Sequence, residues 1–235
     1  MLTQPIAFIP NESDDLHCLQ ASVRMVWQGL TGSALSGEEA ESITGFVSQQ
    51  QSWPFAAMLG LAERGLWVRS IEDFDPRGFI RDPASEIRRQ SEEEDIVSHV
   101  LRVSDVEQER SRVQRCLEHP RIEFERRVPS LDDLNTAVTR PATGVICNVN
   151  YKALVGEDGY TGHFVVIDQI SQTELRLQNP GLPAIPDQVV DIGRFCAAWK
   201  HPSETMGNAL IVAVDAFGSP DDGDALASHQ PVLHG

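Results

Sequence analysis

The stretch GHFVVIDQISQTELRLQNPG, residues 162–181, limits what this chain can fold into more than any other. Two apolar runs, FVVI and LRL, stand either side of SQT, which is turn chemistry. Strands joined by so short a turn pair antiparallel, and that brings their far ends together. His163 opens the first strand and Asn179 ends the second, sixteen residues on. The spacing therefore predicts an imidazole and an amide side by side at one end of a hairpin. Asparagine before Pro-Gly is also good turn chemistry in its own right.

More sheet surrounds this hairpin. GVICNVN and ALIVAVDAF read as strands, with DIGRFCAAW a short helix before the last of them. Upstream the pattern is helical. Leu19, Val23, Val26 and Leu30 recur at helical spacing behind Cys18, and Gly29 with TGSALSG ends that element. SGEEAESITGFV is a second helix, capped by Ser36 with Glu39 three residues on. WPFAAMLGLAERG is a third, opened by Pro54 and closed by Gly65, and LWVRSIE then reads as a strand. From about 73 to 120 the chain is highly charged and helical in pattern, an insertion or lid whose simplest reading is a solvated face. RIEFERRV is a further strand, and SLDDLNTAVTR a helix capped by Ser130 with Asp133 at its third position. Helices first and sheet second indicate an α+β fold and not alternating βαβ units. One domain over residues 1–217 is expected, with 218–235 a disordered tail.

Charge and composition exclude several function classes. Nineteen basic residues, of which only Lys152 and Lys200 are lysines, face thirty-five acidic ones. The net charge of −16 and pI near 4.7 argue against binding nucleic acid phosphates or anionic membranes. No long apolar run reads as a membrane span, and the N-terminus lacks the basic and apolar regions of a secretory signal. Four cysteines lie far apart with no CxxC pair, so neither zinc spacing nor a disulfide framework is present. A reduced, cytoplasmic setting fits, and no metal or cofactor is implied.

Cys18 differs from the other cysteines. It stands in the first turn of its helix, where free N–H groups and the positive dipole end favour thiolate. A nucleophilic cysteine needs a base, and His163 is the one histidine that opens a strongly apolar strand. An amide oxygen from Asn179 on one ring nitrogen would turn the other toward the thiol. Cys116, Cys147 and Cys196 read as small buried hydrophobes. His17 neighbours Cys18 on the helix and points elsewhere, so it reads as structural. Asp14 and Asp15 read as helix caps whose charge raises the thiol pKa. Trp27, Trp53 and Trp67 read as core or pocket wall.

The order Cys, His, Asn, with the nucleophile near the N-terminus and the base far downstream, is the papain arrangement. Within it the chain resembles the C39 peptidases, papain-fold enzymes that clip double-glycine leader peptides, usually as domains of ABC exporters. DDLHCLQASVRMV resembles their nucleophile helix, GHFVVIDQISQTELRLQNPG their histidine strand and its orienter, and VVDIGRFCAAW their closing helix, with Phe195 and Trp199 packing. The resemblance spans roughly residues 5–70 and 128–215. It implies a papain-like fold, with an N-terminal helical part carrying Cys18 and a C-terminal antiparallel sheet carrying His163 and Asn179. It also implies cleavage of a peptide-like amide through a thioester on Cys18. Three positions depart from the family. Asn179 stands where aspartate is usual, and Leu19 where glycine or alanine follows the cysteine. Glu12 replaces the glutamine that donates to the oxyanion six residues before it. An ionised carboxylate repels an oxyanion. Either Asn11 takes the role by a one-residue shift, or the Cys18 N–H does, or the reaction differs. Three functions remain open: a cysteine hydrolase or peptidase, an acyl or amide transferase with an amine acceptor, and a non-catalytic peptide-binding module. Substrate identity and oligomeric state are not fixed by these residues.

Overall fold

The helix behind Cys18 is amphipathic, and burying its apolar face organises the rest. The computed structural model describes residues 6–91, 94–201, 203 and 205–218. Helix α1 runs Cys18–Thr31 and ends at Gly32 in the left-handed conformation. Helices α2 (Gly37–Thr44) and α3 (Pro54–Glu63) pack beside it, and α2 carries the Ser36–Glu39 capping box foreseen from its sequence. Strand β1 (Trp67–Glu72) follows, then α4 (Pro76–Arg81), α5 (Pro83–Gln90), α6 (Glu94–Val103) and α7 (Val106–Glu118). After β2 (Ile122–Arg126) come α8 (Leu131–Thr139), β3 (Thr143–Asn150), the short α9 (Tyr151–Val155), β4 (Gly162–Ile170) and β5 (Glu174–Asn179). Strand β6 (Ile185–Asp191), α10 (Ile192–Trp199) and β7 (Asn208–Ala213) complete the described chain.

All seven strands join one sheet in the order β2-β1-β7-β3-β4-β5-β6. Only β1 and β2 are parallel. The fold is therefore mixed α+β, as the order of patterns predicts. Apolar side chains of the sheet divide into two layers. Ile146, Phe164, Val166, Leu210 and Val212 meet α1 and α3 on one face. Val145, Cys147, Val165, Ile211 and their neighbours meet α8 and α10 on the other. No helix among the described residues is long and apolar enough to cross a membrane. No disulfide joins any of the four cysteines.

The charged 73–120 segment is more than a solvated face. Parallel neighbours cannot be joined by a tight turn, so β1 must reach β2 by a long crossover. The helices α4–α7 are that crossover, and they return over the α1 side of the sheet. Phe79, Val113 and Cys116 are wholly buried there. Two carboxylates go in with them. Glu86 pairs with Arg89 at 2.7 Å and Glu109 with Arg112, so their charges are balanced locally. Strand β6 and helix α9 were not foreseen. The proposed tail at 218–235 lies, apart from Gly218, outside the described residues.

Helix α1 sits close on β3 because position 144 is glycine. A Cβ there would lie 2.7 Å and 3.0 Å from the two methyl carbons of Val26, whose branched side chain has little freedom to move. Gly144→Ala is expected to cost about 1–3 kcal/mol by overpacking, and Val26→Ala in the same chain should return part of that loss. Urea midpoints of the single and double variants check this. An unshifted midpoint in Gly144→Ala would mean that α1 is not seated on β3 at this point.

Candidate active site

Antiparallel pairing brings the ends of β4 and β5 together as the hairpin spacing requires. Nε2 of His163 lies 2.8 Å from Oδ1 of Asn179, and both residues are buried. The amide is itself fixed at both ends. Its nitrogen donates to Oε1 of Gln188 at 2.8 Å, and its oxygen also accepts the Gly181 N–H at 3.0 Å. With the oxygen held as acceptor, His163 must carry its proton on Nε2, which leaves Nδ1 with a free lone pair. A Cβ at Gly181 would lie 3.2 Å from the His163 ring, so glycine lets the turn close over the pair. Tyr151 meets the ring edge-on at 5.3 Å. Sequence reasoning missed Gln188 because it stands on the unforeseen β6, and Tyr151 because it opens the unforeseen α9.

Cys18 approaches from α1. The backbone N–H of Phe164 faces its sulfur, as do the N–H groups of Leu19 and Cys18 itself. Alternation along β4 sends Phe164 and Val166 toward α1 and Val165 and Ile167 to the other face. His163 has the parity of the second set, at the start of the strand. Among the described residues no hydrogen bond joins the thiol to the ring. Their link is the peptide unit between His163 and Phe164, whose N–H meets the sulfur.

The electrostatics differ from the expectation of a thiolate. Burial pushes the Cys18 thiol up to about 11, and the Asp15 carboxylate adds to this, while the three N–H groups oppose it. Burial also lowers His163 below its ordinary 6.5, against the opposing influence of Asn179 and Asp15. At neutral pH the resting residues are thus a thiol and a neutral imidazole. Cys116 is pushed to about 12 and Cys147 is raised too, both by burial, which fits their reading as buried hydrophobes.

The loop before Cys18 explains why Asp15 is so placed, and it revises three expectations. Asn11 does not offer a free amide to the space before Cys18. Its Nδ2 donates to Asp15 Oδ1 at 2.8 Å, and its Oδ1 accepts the N–H groups of His17 (2.8 Å) and Glu12 (2.9 Å). Its own N–H donates to the Pro180 carbonyl at 2.7 Å. Asn11 therefore ties the residue before Cys18 to the turn beyond Asn179. Glu12 is exposed, and no ion pair holds it among the described residues. Asp14 and Asp15 do not cap α1. Its N-cap is His17, with no side-chain cap bond. Asp14 instead accepts from the Leu16 N–H and meets His17 Nδ1 at 3.0 Å. Asp15 takes a positive φ of 60°. His17 is structural as expected, bridging Asp14 and Glu41 and packing on Phe46. The uncapped start of α1 leaves its first amides open toward the sulfur.

A cavity of about 710 Å³ opens in front of Cys18. Asp15, Trp53, Glu72, Tyr160 and Phe164 are among the residues that line it, and α5 and α6 supply one wall. Trp53 is thus pocket wall, while Trp67 lies on β1 beneath the Arg121 guanidinium. Phe195 and Trp199 are buried and stacked at 5.4 Å, as the reading of α10 as a packing helix requires.

No family model matches the chain, and no curated protein matches it. Among solved structures the chain is similar to the peptidase domain of Streptococcus ComA, a bi-functional ABC transporter involved in a quorum-sensing pathway. The two share 12% identity over 88% of this chain and 97% of that domain, with a TM-score of 0.47.

Proposed function

We propose that this chain is a cysteine acyl-transfer enzyme of peptidase type, with Cys18 as nucleophile, His163 as base and Asn179 as the residue that orients it. The observation that carries the reading is the 2.8 Å bond from His163 to Asn179, which leaves Nδ1 as the basic nitrogen, in the residue next to Phe164, whose amide meets the Cys18 sulfur. In this mechanism Nδ1 takes the thiol proton as sulfur attacks an amide carbonyl. The oxyanion that forms meets the open N–H groups at the start of α1. His163 then returns the proton to the departing amine, and a thioester on Cys18 remains. Water resolves it to an acid; an amine resolves it to a new amide. A binding module is the second reading, favoured by the thiol's high pKa and by Glu12 in the place of an amide donor.

Acylation by p-nitrophenyl acetate tests this without knowledge of the natural substrate. Nitrophenolate release should accompany an acetyl adduct on Cys18 in intact-mass spectra. His163→Ala should slow that acylation by about 10²–10⁴, and Asn179→Ala by a smaller factor. Added amine that shortens the adduct's life and appears as an amide marks a transferase. Acylation independent of His163 would favour the binding module.

The pH dependence follows from the two shifts. A thiol at about 11 gains thiolate roughly tenfold per pH unit across the neutral range. Iodoacetamide labelling of Cys18 should therefore climb steadily between pH 6 and 10. Base-assisted acylation should instead fall only below pH 6.5, as the lowered His163 becomes protonated. A flat labelling rate from pH 5 to 8 would show a preformed thiolate–imidazolium pair and overturn the neutral one.

A further inference from the structure

The cavity extends from Cys18 along one row of the sheet, and that row works as a ruler. Phe164, whose amide meets the sulfur, is the register partner of Asn148 on β3. The Asn208 side chain on β7 accepts the Asn148 N–H at 2.8 Å and donates to its carbonyl at 3.0 Å. Asn208 is in turn the register partner of Glu72 on β1. Phe164, Asn148, Asn208 and Glu72 all line the cavity. Three interstrand spacings separate the row's ends, so the Glu72 backbone lies about 14 Å from that of Phe164, whose amide meets the sulfur.

Glu72 is suited to hold a positive charge. It is half-buried, and its carboxylate accepts from the Ser70 hydroxyl at 2.7 Å. Among the described residues no lysine or arginine pairs with it. Neighbouring Asp73 and Glu86 differ, because Arg89 reaches both. Among the described residues no lysine or arginine lines the cavity, although Trp53, Phe74 and Tyr160 present aromatic surface in it. A carboxylate removed from bulk water in a cavity with aromatic walls favours a cationic guest. Burial and the nearby Glu86 hold the Glu72 carboxyl above its usual range, and a bound cation would bring it back down.

We propose that the substrate carries an amine or guanidinium group about 14 Å from the carbonyl that Cys18 attacks, and that Glu72 binds it. In an extended peptide this distance is about four residues, so a lysine or arginine at that remove is the recognised feature. The proposal rests on Cys18 being the attacking group, as in the acyl-transfer reading.

Bromoacetamides of straight-chain diamines test it, with bromoacetamides of alkylamines of equal length as neutral partners. Alkylation of Cys18 is followed by intact mass. The ammonium-ended chains should label faster than their neutral partners by about tenfold, with the greatest ratio at chain lengths that span about 14 Å. Glu72→Gln should remove that ratio and leave iodoacetamide labelling unchanged, which also shows that the variant is folded. Equal rates at every length, or an ammonium preference that survives in Glu72→Gln, would overturn the proposal. These rates require only that Cys18 be reachable, so their outcome is separate from loss of His163-dependent acylation, which tests the enzyme reading.

Discussion

Everything at the site depends on how α1 meets the sheet. A helix delivers its first residue to a chosen point only if its axis is fixed, and here Val26 against Gly144 fixes it on β3. With the axis set, Cys18 arrives at the first residues of β4, where the Phe164 amide faces its sulfur. Asn11 supplies the second constraint. One buried side chain holds the His17 N–H and, through its own backbone, the Pro180 carbonyl. Helix α1 and the turn beyond Asn179 thus share a common anchor. Losing one buried bond of this kind costs about 1–3 kcal/mol, which suits Asn11 to a positioning role, where an oxyanion donor would need its amide free.

Much of this was legible in the residues, and the reasons are local. Capping boxes at Ser36–Glu39 and Ser130–Asp133 satisfy particular N–H groups, so they mark helix starts wherever the chain goes. The meeting of His163 and Asn179 follows from strand periodicity and a short turn alone. What failed depended on distant partners. Strand β6 begins Ile-Pro-Asp-Gln and exposes much of its length, so no apolar alternation announces it. It forms because β5 offers an edge. Gln188 comes with it, and with Gln188 the lock on Asn179. The crossover helices looked solvated because their outer faces dominate composition; the burial of Phe79, Val113 and Cys116 follows from β1 and β2 being parallel, which one sequence does not reveal. Asp14 and Asp15 have the chemistry of caps, but the Asn11 loop draws them elsewhere.

The acidic loop also sets the working state of the thiol. A helix dipole and three N–H groups lower the cost of a thiolate, yet burial outweighs them and Asp15 adds to it. The same carboxylate acts on His163 in the opposite sense, favouring its protonated form. Asp15 therefore resists charge on the sulfur while easing an imidazolium at His163. Such an arrangement suits a nucleophile charged only in the transition state, when the carbonyl is already present. It guards the thiol against stray oxidants and alkylators, whose attack requires thiolate.

That protection gives the crossover a function beyond filling the space over β1. Helices α5 and α6 wall one side of the cavity in front of Cys18, and charge–charge interactions grow stronger where less solvent is present. A carboxylate at Glu72 would be wasted on an open surface, where ion pairs contribute little. Under the crossover it becomes selective. On the readings proposed above, the crossover and the β1 edge choose the guest, while the β4–β5 hairpin and α1 supply the chemistry. If the proposed acyl-transfer reading and the cation site both hold, a change of substrate would need changes only in α5, α6 and the β1 edge, with Cys18, His163 and Asn179 left as they are.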